Sequence, residues 1–165
     1  MAAGATYTPI ATTTLGSATT SYTFTSVPQT YTDLILVFNG QIQVNTFFRF
    51  NGDSGTNYSQ NSMWGDGTTA ASHRESNISQ TYIGDYIGNP LNNAGSMLIM
   101  QIQNYSNTTT YKTTLYRASN VSKLSEAGVS LWRNTAAITS VTVSSDSTNG
   151  MLAGSTLTLY GIASA

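Results

Sequence analysis

A serine between an aspartate and a glycine stands in the stretch FRFNGDSGTNYS (48–59), and Ser54 is the first residue to weigh as a nucleophile. Serine chemistry of the chymotrypsin type needs a histidine base, placed before the serine in the chain. The single histidine, His73, comes nineteen residues after Ser54, in the polar run TTAASHRESN. The hydrolase alternative needs G-x-S-x-G on a strand-to-helix elbow, and neither the motif nor the helix is present. A turn explains the same letters. Asn51 and Gly52 tolerate positive φ, Asp53 caps the turn through its side chain, and Gly55 releases the chain.

Other chemistries draw on equally few residues. Asn51, Asp53, Asn57 and Asp66 could offer oxygens to calcium, but their spacing lacks the glutamate that closes an EF-hand loop. A carboxylate pair for glycoside hydrolysis would have to come from Asp33, Asp53, Glu75, Asp85 or Glu126, in a chain with only 7 acids. Ion pairing is the simpler use: Arg49, Arg117 and Arg133 lie within apolar strands, where an arginine is costly unless paired, so carboxylate partners are expected. No catalytic residue, metal ligand or cofactor is assigned. Of the aromatics, Trp132, Tyr116 and Tyr160 fall in strongly apolar strands and should be core. Trp64, Tyr58, Tyr82 and Tyr86 lie in a polar central region, where exposed rings could stack on sugars or pack against another subunit. Five N-x-S/T matches, at Asn57, Asn77, Asn104, Asn107 and Asn120, follow from a chain this rich in the three residue types.

The elements that must position these residues are strands. Thr, Ser and Asn supply 27, 21 and 14 of the 165 residues, and charged residues only 8%. Thr, Val, Ile and Tyr suit pleated, half-buried strands, while Asn, Ser and Gly suit turns. Period-two patterns recur in SYTFTS, QIQVNTFFRF, TYIGDYIG, SMLIMQIQNY, TTYKTTLYRA, AGVSLWRNT, AITSVTVSS and STLTLYGIA. DLILVFNG is continuously apolar, as expected of a strand covered on both faces, and its Asn39-Gly40 pair offers a hairpin turn. The best helical candidate, NVSKLSEAGV, allows one or two turns at most. The pattern predicts a single domain over 1–165: an all-β, jelly-roll-like antiparallel sandwich of eight to ten strands with little or no helix.

Composition also bounds the partners. Net charge is −1, and the 6 basic residues, scattered from Arg49 to Arg133, form no patch for nucleic acid. No apolar run approaches the ~18 residues that span a bilayer. With no cysteine, disulfides and thiolate metal sites are excluded. The first residues lack the charged and apolar regions of a signal peptide, which predicts synthesis in a cytoplasm. Low net charge and few charges to blunt strand edges favour self-association.

Several phrases, taken in order, resemble a recurrent set in virion proteins of tailed phages, particularly those of aquatic environments. They are SVPQTYTDLILV (26–37), FRFNGDSGTNYS (48–59), MQIQNYSNTTTYKT (100–113), LWRNTAAITSVTV (131–143) and STLTLYGI (155–162), leaving 60–95 least familiar. The resemblance implies a β-sandwich structural module without enzymatic activity, found in small virion proteins and in tail or fibre proteins. The chain begins almost at its first strand, ends three residues after LYGI, and shows no shaft repeat or capsid-type long helix. The expectation is therefore a decoration, or cement, protein on the outer capsid surface, made in the host cytoplasm, forming a homotrimer and bridging major capsid proteins. Residues 1–17 would supply a docking arm through Tyr7, Pro9, Ile10 and Leu15. The alternative is a tail module that binds host-surface glycan through Trp64 and its neighbouring tyrosines.

Overall fold

Period-two patterning is realised as strands throughout. The computed structural model describes residues 6–84, 90–92, 95–120 and 122–163, and among them there are twelve strands and no helix. They are β1 (Tyr7–Thr14), β2 (Ser21–Phe24), β3 (Asp33–Gly40), β4 (Thr46–Phe50), β5 (Tyr58–Gly65) and β6 (Ala70–Ile78). The remainder are β7 (Thr81–Ile83), β8 (Ser96–Gln103), β9 (Lys112–Asn120), β10 (Leu124–Trp132), β11 (Val141–Ser145) and β12 (Thr156–Ile162). An eight-stranded sheet runs β1-β12-β3-β8-β9-β10-β5-β6, and a four-stranded sheet runs β2-β11-β4-β7. The all-β sandwich is as predicted; the jelly-roll comparison extends no further than that architecture.

The core lies between the sheets. Leu34, Leu36 and Phe38 of β3, Leu98, Met100 and Ile102 of β8, and Leu157 and Leu159 of β12 point inward from the large sheet. They meet Phe24 of β2, Phe48 and Phe50 of β4, and Val141 and Val143 of β11. Every second residue is buried along β4, β8, β9 and β12, so there the alternation in the sequence and the layering of the sheets are the same fact.

Four expectations need correction. The strands β5 and β6 were not anticipated, because YSQNSMWG and AASHRESNI are too polar to show an apolar period. Register with β10 recruits them to the sheet instead. The helical candidate forms the turn between β9 and β10 and most of β10, since pairing with β9 on one side and β5 on the other outweighs a short helix's weak propensity. Asn39-Gly40 ends β3 rather than turning, and a Cβ at Gly40 would lie 2.3 Å from Ser155 Oγ, so glycine permits a close approach.

The fourth correction concerns the docking arm. Residues 7–14 are β1, an edge strand paired with β12 from Tyr7↔Ile162 to Thr14↔Thr156. Thr12 and Thr158, and Thr14 and Thr156, join hydroxyls across the pair at 3.2 Å. Pro9, which has no amide hydrogen to donate, sits on this edge next to a bulge, and Ile10 packs against the core. Leu15 is buried and exchanges backbone hydrogen bonds with Ser155 and Gly154 at 2.8 Å. Ile10 and Leu15 are thus committed to the core while the Tyr7 ring stays exposed, so deleting residues 2–16 would strip an edge strand and open the core.

Candidate functional site: the outer face of the eight-stranded sheet

The turn that first suggested catalysis is built by its own side chains. Asn51 and Gly52 both take positive φ, 52° and 65°, and the Asp53 amide donates to the Phe50 carbonyl at 2.9 Å. The Asp53 carboxylate accepts from the Gly55 amide at 2.8 Å, Asn57 Nδ2 at 2.9 Å and the indole Nε1 of Trp132 at 2.7 Å. Burial acts to raise the Asp53 pKa, but the donors Asn57, Trp132, Gly55 and Asn134 outweigh it and hold the carboxyl below its ordinary value. Asn51 ties the turn to the strand-free segment before β11. Its Oδ1 accepts from the amides of Thr139 and Ser140 at 2.8 and 3.1 Å, and its Nδ2 donates to the Ala137 carbonyl at 2.8 Å. Asn51→Ala should cost about 2 kcal/mol in urea unfolding, through lost hydrogen bonds and a non-glycine residue at positive φ. Asn51→Gly, which relieves the backbone, should cost about half as much.

The other candidate chemistries do not assemble. Ser54 is exposed in that turn, whereas His73 lies in β6 opposite Ser62, its Nε2 3.8 Å from Glu75 Oε1. Of the calcium candidates, Asp53 and Asn51 spend their oxygens as described, and Asn57 donates to Asp53. Asp66 sits beyond the far end of β5, where Oδ1 accepts from the amides of Thr68 and Thr69 at 2.8 and 2.7 Å. No three of His, Asp and Glu converge on a metal position among the described residues. The acids are likewise dispersed. Asp33 Oδ1 accepts from the Asn104 amide at 2.7 Å, and buried Glu126 Oε1 accepts from the Tyr116 hydroxyl at 3.2 Å. Burial, followed by the Glu126 carboxyl, pushes the Tyr116 hydroxyl up, which keeps it a proton donor. Asp85 lies outside the described residues.

The expected ion pairs are not those formed. Arg49 donates through Nε to the Ser79 carbonyl at 3.2 Å and stands over the Phe47 ring at 5.1 Å. Arg133 donates to Ser59 Oγ, to the Thr56 carbonyl at 2.8 Å and to Asn77 Oδ1 at 2.9 Å. Carbonyl and amide oxygens are the nearer acceptors in a chain this poor in acids. Arg117 is exposed and makes neither a hydrogen bond nor an ion pair with the described residues. The N-x-S/T asparagines are structural too: Asn107 caps Thr109 and Thr110, and Asn120 is buried against Ser96.

The aromatic cluster divides. Tyr58 is fully buried, stacked on Trp132 at 6.4 Å and beside Phe50, with the Phe50 amide donating to its hydroxyl at 3.0 Å. Tyr82 lies on the small sheet, edge-on to Phe47 at 6.3 Å, and Trp64 is half-buried near the end of β5. Tyr86 lies outside the described residues. Trp132 and Tyr116 are core, as expected. Tyr160 is not: it faces outward, its ring edge-on to Tyr7 at 6.4 Å.

Tyr160 belongs to a surface that sequence reading missed. The outer face of the large sheet carries Ile35 and Val37 of β3, Ile99 of β8, Leu115 of β9 and Ala127 and Val129 of β10. Large apolar side chains remain exposed there: Tyr7 57%, Met63 66%, Met97 40%, Leu115 44% and Val129 39%. Isolated exposed apolar residues are ordinary, but these five share one face. Two depressions of about 770 and 540 Å³ lie on it and share Arg117 and Ala127. The signal was present in the unbroken apolar run of DLILVF. Such a run predicts a strand covered on both faces, yet among the described residues only the inner face is covered.

No protein-family model matches the chain, and no curated protein matches it. Among solved structures, an alginate lyase mutant in complex with an alginate tetrasaccharide is 9% identical, over 92% of this chain and 80% of that one, with a TM-score of 0.32. A second alginate lyase mutant, bound to an alginate trisaccharide, is 8% identical over the same shares with a TM-score of 0.29. At these scores the likeness bears on neither fold nor activity.

Proposed function

We propose that the chain is a non-enzymatic structural protein of a phage virion, a capsid decoration protein that docks through the outer face of its eight-stranded sheet. The observation that carries this reading is the concentration of exposed Tyr7, Met63, Met97, Leu115 and Val129 on one face. The ordered resemblance of its phrases to virion proteins supports the same role. A structural role also agrees with the engaged state of the candidate catalytic groups, above all Asp53 with Trp132 and Glu126 with Tyr116. Bound subunits, as trimers, would bridge neighbouring capsomers and add their binding free energy to the shell. At a free concentration 100 times Kd that linkage is about 2.7 kcal/mol per site.

Imaging of labelled chain in virions tests the location. Density on the shell lattice is expected, and Leu115→Asp with Val129→Asp should lower occupancy at least about tenfold while circular dichroism is unchanged. Density at the tail alone would overturn the reading. In that case a glycan-binding tail module gains ground, since half-buried Trp64 borders the smaller depression. Adsorption lost in Trp64→Ala would then establish it.

A further inference from the structure

The charges on the outer face are as uneven as its hydrophobicity. Strand alternation puts Arg117 of β9 beside Leu115 on this face, and Arg74 of β6, opposite outward-facing Asn61, on the same side. Both are exposed, and neither makes a hydrogen bond or ion pair with the described residues. Among the described residues acids are sparse on this face. Glu126 is buried on the inner face, and Glu75, in register with buried Gln60, shares that inner side. Asp33 has the parity of Ile35 and Val37 and so lies on the outer face, at the corner where β3 begins, where its Oδ1 accepts from the Asn104 amide at 2.7 Å. The outer face is therefore largely apolar, with two unpaired arginines against one carboxylate that is already engaged, Arg117 standing where the two depressions meet.

This pattern selects among occupants. A second copy stacked on the same face about an axis at Arg117 would bring arginine against arginine, and the face's Asp33 carboxylate already accepts from the Asn104 amide. A small molecule would fill one depression. The exposed apolar residues run from Tyr7 on β1 to Met63 on β5, six strand spacings or about 29 Å, the length of an extended segment of roughly nine residues. We infer that the outer face binds an extended, apolar polypeptide segment bearing carboxylates, at least one of which pairs with Arg117. The inference rests on the proposed reading of this face as the docking surface and names the partner's chemistry. A guanidinium in an apolar setting pairs with carboxylate in bidentate fashion, so Arg117 would set specificity while Leu115 and Val129 supply contact area.

The test uses the whole chain, nitrogen-15 labelled, titrated with a soluble peptide alternating leucine and glutamate and with its leucine–lysine counterpart. The acidic peptide should shift the amide resonances of Leu115, Arg117 and Val129 and bind at least about tenfold more tightly than the basic one. Arg117→Gln should remove that preference, which a merely structural role for the residue would leave in place. Equal affinities for the two peptides, or shifts confined to the small sheet, would overturn the inference. So would a change of oligomeric state on Leu115→Asp, because the face would then belong to a second copy. Peptide binding by the isolated chain is independent of where the chain sits in a virion. Failure of the titration therefore leaves a shell location standing, and a tail location leaves the titration standing.

Discussion

Asp53→Ala is expected to lower the unfolding free energy by about 3 kcal/mol at pH 7, roughly a 6–12 °C fall in Tm for a domain of this size. The turn loses its cap, and the indole N–H of Trp132 loses its acceptor. Trp132 is 1% exposed, packed between Phe50 at 5.7 Å and Tyr58 at 6.4 Å, so its donor has little access to water. Asp53→Asn keeps one acceptor oxygen and should cost less. The pH dependence follows from the lowered pKa. Stability from the ionised Asp53 is complete above the ordinary value of 3.8 and is lost as pH falls from there through the lower folded value. Urea unfolding of wild type and Asp53→Asn at pH 7 and pH 3 should therefore converge at the lower pH. A gap between them that stays constant would show that the charge contributes nothing.

Gly128→Ala is expected to be comparably damaging, at about 2–4 kcal/mol, although it adds a single methyl group. A Cβ at Gly128 would lie 2.3 Å from Tyr116 Cζ and 2.4 Å from its hydroxyl oxygen. Tyr116 is 2% exposed and donates to Glu126 Oε1 at 3.2 Å and to the Tyr82 carbonyl at 3.4 Å, so displacing the ring breaks buried hydrogen bonds. A double-mutant cycle isolates the cause. In a Tyr116→Leu background the same glycine substitution should cost below about 1 kcal/mol. An undiminished cost there would place the penalty in the β10 backbone rather than in the ring.

The features legible in the sequence were those set by neighbours along the chain. The turn at Asn51, Gly52 and Asp53 could be read because positive φ and side-chain capping are local requirements. The β9–β10 hairpin could not, because NVSKLSEAGV becomes strand only when β5 and β9 flank it. Lys112 gave no local sign either. It is buried, its ammonium donating to the carbonyls of Thr110 and Thr135 at 2.7 and 3.2 Å, and the second acceptor is 23 positions away.

By itself, then, the sequence determined an antiparallel β architecture and the turn at Asn51–Gly55, because period two and turn chemistry act over a few residues. Which apolar residues are inside was decided by the tertiary structure. Tyr58 and Trp64 have the same parity on β5, yet Tyr58 is sealed against Trp132 while Trp64 stays half-open. Ile35 and Leu36 are neighbours of similar character in DLILVF, yet one faces outward and the other the small sheet. Apolar character on both sides of a strand does not say which side is covered. Asp53 and Trp132, 79 positions apart, illustrate the same limit, since the indole reaches the turn cap only once β10 pairs with β5 and sets Trp132 opposite Tyr58. The exposed apolar face was hidden for this reason: it is defined by what does not pack on it, and that is a property of layers rather than of any stretch of chain.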